Sequence, residues 1–273
     1  MQSIFSMNFL LQDLQSLQRL RQLCWRMGVR EMQSRYAGTA AGVIWVYLPP
    51  LLTMATYYLV FDIIFNMRLG DQAPARTVGV YMIAGMLPWI AFADAISRGM
   101  GSLLEAGSAL QKNPLPPVLF LTRTVLASGL IFGPLLLAVF LFYGPQHGFA
   151  PLALLSFVLL LLLQAVLCWL VGYLLALLAA AVRDTVQITN FILGIGIFLS
   201  PVLFPIAMFP QQWQWALWLN PMTPFVLGYQ SALLEGALAG SGVWLAIAVW
   251  FSLLALVLNG AIGRTREELI DWL

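Results

Sequence analysis

Fifty consecutive residues, Thr185 to Leu234, contain no Asp, Glu, Lys, Arg or His, and how this stretch crosses a bilayer decides the topology of the chain. It opens as an apolar helix over Ile188 to Phe204, is broken at Pro201, Pro205 and Pro210, runs through Trp213, Trp215, Trp218 and Asn220, and is broken again at Pro221 and Pro224. One crossing takes about 20 apolar residues, so the stretch is too long for a single span. Two ordinary spans joined by a tight turn would give the chain seven crossings. Arg264 and Arg266 would then face away from the Arg-rich amino terminus, against the rule that basic residues gather on one side. The expected alternative is one crossing, a break at the prolines and a return to the face just reached, as a re-entrant hairpin over 205–240. Irregular backbone is tolerated at membrane depth only where protein or a water-filled cavity surrounds it, so this reading implies a lined pathway.

The composition is that of a polytopic, all-α membrane protein. Hydrophobic residues make up 61% and charged residues 9%, against roughly 45–50% and 25% in soluble domains. A net charge of +2 is too small to suggest a nucleic-acid partner. Cys24 and Cys168 lie far apart in sequence, which indicates neither a disulfide framework nor a metal site. No cleavable signal peptide is expected, because Met1 to Tyr36 lacks an apolar core of the needed length and its basic residues follow its apolar ones. Instead Leu10, Leu14, Leu17, Leu20, Cys24 and Met27 recur at helical spacing with polar residues between them. Residues 1–36 therefore read as an amphipathic interface helix on the membrane surface.

Six spans are expected within 37–273. The first is Ala37 to Phe65, the second Thr77 to Ser97, the third Val118 to Tyr143, and the fourth Leu152 to Val182. The fifth opens the uncharged stretch, and Val243 to Ile262 is the sixth. Both termini then share one face. Arg19, Arg21, Arg26, Arg30, Arg35, Arg98, Lys112, Arg123, Arg183, Arg264 and Arg266 all fall there, and only Arg68 and Arg76 fall opposite. That bias makes the shared face cytoplasmic.

Little in the sequence can do covalent chemistry. A phosphate-cradling loop needs glycines before a lysine, and the sole lysine, Lys112, stands in Gln111-Lys112-Asn113. The sole histidine, His147, falls in an outer turn, so no hydrolytic triad is expected. Asp94, inside the second span, is a functional candidate by default, but Arg98 four residues on predicts a structural ion pair in preference to a proton relay. The loop 99–117 reads as a helix end at Gly99-Met-Gly-Ser102, followed by a short capped helix from Ser102-Leu-Leu-Glu105. Its apolar side would carry Leu103, Leu104 and Leu110, with Glu105, Ser108 and Lys112 beside them, exposed for docking to a partner. Tyr58, Phe61 and Phe65 share a helical face at the outer end of the first span, with Phe198 and Phe204 at matching depth in the fifth. They form either an interfacial belt or an aromatic lining for sugar rings. Arg30 and Arg35 sit where the interface helix meets the first span. They either anchor it to anionic lipids or offer planar forks to a phosphate. Five residues apart, they point about 140° apart on one helix.

Several of these residues together carry a resemblance. Arg30-Glu31 with Arg35-Tyr36, Gly38, Gly42, Trp45 and Pro49 form one block, and Gly85-Met-Leu-Pro88-Trp89 a second. Glu105 with Lys112-x-Pro114, Arg183-Asp184, Phe198-Leu-Ser-Pro201-Val-Leu-Phe-Pro205 and Asn220-Pro221-Met-Thr-Pro224 follow in order. The series resembles permease subunits of type-2 polysaccharide ABC exporters, and Arg264-Thr-Arg-Glu-Glu268 is similar to the capsule exporters among them. The resemblance implies a homodimer bound to two ATP-binding cassette subunits. These would hold ATP and Mg, with no cofactor on this chain. It implies that the first and fifth spans line a channel, that Pro210 to Gly236 forms its outer gate, and that a lipid pyrophosphate-linked polysaccharide is the substrate. O-antigen, capsule and teichoic acid glycans all remain open, as does a small-molecule exporter of the same class.

Overall fold

The computed structural model describes residues 9–40, 42, 44–69, 77–112, 115–266 and 268–272. Residues 70–76 of the expected outer loop, Asn113 and Pro114 of the expected docking loop, and Glu267 lie outside them. The described residues form helices and no strand, in the order α1 (Phe9–Arg19), α2 (Arg21–Ser34), α3 (Ile44–Tyr58), α4 (Val78–Lys112), α5 (Val118–Tyr143), α6 (Pro151–Ala181), α7 (Thr185–Gly196), α8 (Gln214–Leu217), α9 (Thr223–Gln230), α10 (Ser241–Thr265) and α11 (Leu269–Trp272). Among the described residues five helical segments are long and apolar enough to cross a membrane: Tyr47–Ile64, α4, Val118–Gln146, α6 and α10. With its length and composition, the chain is a multi-pass membrane protein.

The amphipathic start is two helices rather than one, broken at Leu20 (φ −102°, ψ 19°). Its apolar stripe is partly covered by protein. The α1 segment lies on α10, where the Leu10 amide donates to Asn259 Oδ1 (3.1 Å) and Arg266 Nη1 donates to Gln12 Oε1 (2.7 Å). The Tyr173 hydroxyl of α6 donates to Asp13 Oδ2 at 2.8 Å. Burial pushes the Asp13 carboxyl up, with that hydrogen bond and Arg266 pulling the other way. Leu11, Leu14, Leu23 and Trp25 remain exposed, free to enter a lipid surface.

These contacts also fix direction. Both α6 and α10 end beside α1, and the starts of the two meet where the Ala239 amide donates to Ser156 Oγ (3.4 Å). The two helices are parallel. Residues 182–240 therefore carry the chain from one end of the bundle to the other.

Two expected boundaries shift. First, α4 does not stop at Gly99–Ser102 but runs unbroken for 35 residues to Lys112, about 52 Å. Gly99 serves packing: a Cβ there would stand 3.2 Å from Leu121 Cδ1 and 3.7 Å from Gly172 Cα, so its absence lets α4 approach α5 and α6 closely. Ser102 caps nothing, because its Oγ is buried without a partner. The other end of α4 does have a cap, from Asp62 Oδ1, which accepts the Gly79 N–H at 2.7 Å. Second, the helix expected to reach Phe204 ends at Gly196. At 12 residues it extends about 18 Å, short of a hydrocarbon core of about 30 Å.

After Gly196 the chain turns inward instead of continuing as a helix. Ser200 and Val202 are fully buried, as is most of α9. A polar latch holds this broken backbone against α4. Gln230 Nε2 donates to the Pro201 carbonyl (2.8 Å), and the Tyr81 hydroxyl lies 2.9 Å from the same carbonyl and 3.0 Å from Gln230 Oε1. The proline-freed carbonyl is thus satisfied at depth, as an irregular segment inside a membrane protein requires.

Candidate translocation cleft

The short length of α7 leaves space beside α3, and there the structure opens a cleft of about 780 Å³. Trp45, Pro49 and Pro50 of α3 form one wall and Asn190, Leu193 and Gly194 of α7 another. Trp89, Asp94, Ser97 and Arg98 of α4 form the floor, closed by Phe132 of α5 and by Arg35 and Tyr36 after α2. The lining is mixed, with indole and phenol faces beside guanidinium groups.

A charge network organises the floor. Arg98 Nε donates to Asp94 Oδ1 at 2.9 Å, the ion pair that the four-residue spacing predicts. Arg35, from a different part of the chain, donates through Nη1 to Asp94 Oδ2 and to Ser128 Oγ, both at 3.2 Å, and through Nη2 to the Thr124 carbonyl at 3.4 Å. The Ser128 hydroxyl donates to Asp94 Oδ2 at 2.7 Å. Glu31 stands 4.0 Å from Arg35 Nε and 3.7 Å from Arg123 Nε. The Arg35 side chain is only 5% exposed. Burial draws its guanidinium below the ordinary value, while Asp94 draws it back up. An arginine stays charged through such shifts, so the network sets three cations against two carboxylates.

Of the residues singled out from sequence, some converge here and others do not. Arg35 lies in the cleft but is committed to Asp94, while Arg30 is exposed on the other side of α2, so the pair forms no common clamp. Leu103 and Leu110, expected on an exposed docking helix, are packed into the protein's own core at 0% and 6% exposure. Leu104 is half-buried, and Glu105, Ser108 and Lys112 are exposed. Tyr58 and Phe65 are exposed and Phe61 half-buried, but none of the three lines the cleft. From Leu59 to Ile64 the helix widens to a π-helix, which changes the residue spacing along its surface. Phe61 stacks on Tyr57 (5.9 Å), not on Tyr58, and meets Phe65 edge-on at 6.3 Å. Phe198 is exposed and Phe204 stacks on Phe209 at 5.7 Å, also outside the cleft.

The hairpin residues are placed as a compact group. Pro201 and Pro205 are buried, while Trp213 and Trp215 are exposed and stacked at 6.4 Å. The Trp218 carbonyl accepts from Trp250 Nε1 of α10 (3.2 Å). Asn220 Oδ1 accepts the Met222 N–H (3.0 Å), shaping the turn at half-buried Pro221, and its Nδ2 reaches the Gly196 and Leu199 carbonyls at the end of α7 (both 3.5 Å). Sequence reasoning overlooked Ser97 and Asn190, and gave Trp89 no place in a cleft. The Ser97 hydroxyl donates to Asn190 Oδ1 at 2.8 Å, joining α4 to α7. An Asn within the uncharged helix before the prolines was the available signal.

A helical multi-pass bundle with a polar cleft between a short helix and an exposed one has the build of a membrane transport subunit. The family model for the ABC-2 type transporter matches residues 22–234, and the chain belongs to that family. It is 26% identical over 247 residues to the O-antigen export system permease protein RfbA of Myxococcus xanthus, covering 89% of this chain and 92% of the relative. It is 23% identical over 242 residues to the polysialic acid transport protein KpsM of Escherichia coli (88% and 92%). To the inner membrane transport permease YadH of Escherichia coli K12 it is 27% identical over 205 residues (70% and 77%).

Proposed function

We propose that this chain is the channel-forming permease of an ATP-driven exporter that moves a lipid-linked polysaccharide, of the O-antigen type, across the bacterial inner membrane. The observation that carries the reading is the cleft between α3 and α7, where aromatic faces suited to sugar rings meet guanidinium groups suited to phosphate. The relatives' names point the same way. A second copy of the chain would complete the channel. In support, only 11% of the Tyr47–Ile64 span is buried, which leaves Phe65 and the α3 face, with Phe198 nearby in sequence to α7, open to a partner. ATP and Mg would be held by two ATP-binding cassette subunits. Exposed Glu105, Ser108 and Lys112, at the end of α4, are the groups through which those subunits would be met. The KpsM similarity favours a capsule glycan as the second reading, and teichoic acid or a small molecule would use the same architecture.

Deleting the gene tests the substrate. Loss of a surface polysaccharide, with lipid-linked intermediates retained inside, is the expected result, and an unchanged cell surface would remove the reading.

Topology is tested separately. In this reading α7 and the segment leading through α9 make the fifth crossing, and α10 the sixth. The termini face the cytoplasm, and Pro201 with the hairpin 205–240 forms an outer gate that includes Pro205, Trp213, Trp215, Trp218, Asn220 and Pro221. Single cysteines at Gln212 and Gly240, in a background lacking Cys24 and Cys168, should both label from the periplasm. Labelling of Gly240 from the cytoplasm would replace the hairpin with an extra span.

Contact with the ATPase has its own test. A photo-crosslinker at Ser108 should join the permease to its ATPase in the intact complex. An active complex that gives no such product would move the contact elsewhere.

A further inference from the structure

The charge network at the cleft floor is unevenly bonded. Charge-assisted N–H···O bonds measure about 2.7–2.9 Å. Asp94 receives Arg98 Nε at 2.9 Å and the Ser128 hydroxyl at 2.7 Å. The three bonds of Arg35, to Asp94, Ser128 and the Thr124 carbonyl, are longer, at 3.2, 3.2 and 3.4 Å. Arg35 is thus the most enclosed member of the network and the most loosely held.

A second carboxylate stands on its other side. Glu31 Oε1 lies 4.0 Å from Arg35 Nε, and Glu31 Oε2 lies 3.7 Å from Arg123 Nε. Both distances exceed a hydrogen bond. Both Nε groups are buried and, among the described residues, neither has a hydrogen-bond partner. Native proteins pair nearly all buried N–H donors, because an open one costs free energy. Here two open donors face one carboxylate across gaps that a shift of about 1 Å would close.

The two acids ride on different bodies. Glu31 is on α2, which packs closely on α5: a Cβ at Gly28 would stand 3.0 Å from Leu126 Cβ. Thr124, Ser128 and Arg123 are also on α5. Of the groups around Arg35, only Asp94 belongs to α4.

We infer that Arg35 is an exchangeable cation passed between two carboxylates. In this structure Asp94 holds it. When α4 turns relative to α2 and α5, Asp94 keeps Arg98, which travels on the same helix, and Arg35 closes on Glu31. That closure satisfies the open donors of both Arg35 and Arg123. Glu31 is the positioning residue of the second state. The states differ in which carboxylate holds Arg35, the differential contact that a two-state element requires. The exchange rests on the network alone, and its drive by nucleotide rests on the proposed function.

The experiment is a distance measurement by pulsed electron spin resonance in the permease–ATPase complex. Spin labels are placed at Gln33 on α2 and Gly101 on α4, in a background lacking Cys24 and Cys168 and diluted with unlabelled permease. Without nucleotide, Asp94→Asn should raise the ratio of a second distance to the first roughly tenfold, the scale of one lost charge-assisted bond. Ser128→Ala loosens the same side more gently and should shift the ratio the same way, which covers an Asp94→Asn protein that does not fold. Adding Glu31→Gln to either should return the ratio to the parental one, since the second state has lost its carboxylate. A Glu31 that served only the fold would change the melting temperature and leave the distances alone. Parental distances in both Asp94→Asn and Ser128→Ala would overturn the exchange, as would a second distance that survives Glu31→Gln. MgATP with vanadate should move the parental complex to the same second distance. If the variants shift and nucleotide does not, the exchange stands and its ATP drive falls, so the two failures are separable.

Discussion

Arg35→Ala should destabilise the folded chain by about 3 kcal/mol, the scale of breaking a buried ion pair from one side, read as a lower melting temperature of the purified protein. Arg35 is almost fully enclosed and serves Asp94, Ser128 and the Thr124 carbonyl at once. Alanine would remove the extra donor to that carbonyl and leave Glu31 facing Arg123 alone. The residual Arg98–Asp94 pair cannot substitute, since Arg98 lies on the half-exposed side. Replacing both members, Arg35→Met with Asp94→Leu, should cost less than the two single changes together, because no uncompensated charge is left behind. A parental melting temperature for Arg35→Ala would mean that the network contributes nothing to the fold.

Gly85→Ala should also destabilise, by about 1–3 kcal/mol, as overpacking of a close-packed site does. The added Cβ would stand 2.9 Å from Gln230 Nε2, 3.1 Å from Val226 Cγ1 and 3.3 Å from Val202 Cα. Gln230 cannot swing away without releasing the Pro201 carbonyl, and the Val202 contact is backbone. The whole turn after α7 must therefore shift. Gly129→Ala on α5 is the control, since a Cβ there meets nothing within 4 Å. It should stabilise by up to about 1 kcal/mol through helix propensity. Equal effects at the two glycines would show that the latch does not depend on close packing.

The membrane class, the helices α4 to α6 and α10, and the Asp94–Arg98 pair were legible in the sequence because each rests on local spacing. What failed was information carried by distant neighbours. Gly99 and Gly101 read as a helix end, but a glycine that terminates a helix and one that admits a neighbouring helix look alike in one chain. The same confusion exposed Leu103 and Leu110, whose covering elements come from elsewhere. Arg35 meets Asp94 across 59 residues, a pairing no local window contains. On the aromatic face of the first span Phe61 does meet Phe65, while Tyr57 in place of Tyr58 stacks on Phe61. The prolines did announce the break before α9, yet the helix ended at Gly196, ahead of them all, where Asn220 takes up its last carbonyls.

One consequence of the unbroken α4 is mechanical. Capped by Asp62 at one end and reaching Lys112 at the other, it is a stiff rod whose sole interior proline, Pro88, has its carbonyl held by Gln164 at 2.8 Å. Asp94 and Arg98 are mounted on this rod, whereas Arg35 is anchored outside it. A torque applied near Lys112 would reach the cleft floor as a rotation of Asp94 relative to Arg35, since no proline interrupts the helix between them. In the proposed exporter the helix would serve as a crankshaft, turning force at its exposed tip into a change of grip some twenty ångströms away, at about 1.5 Å per residue.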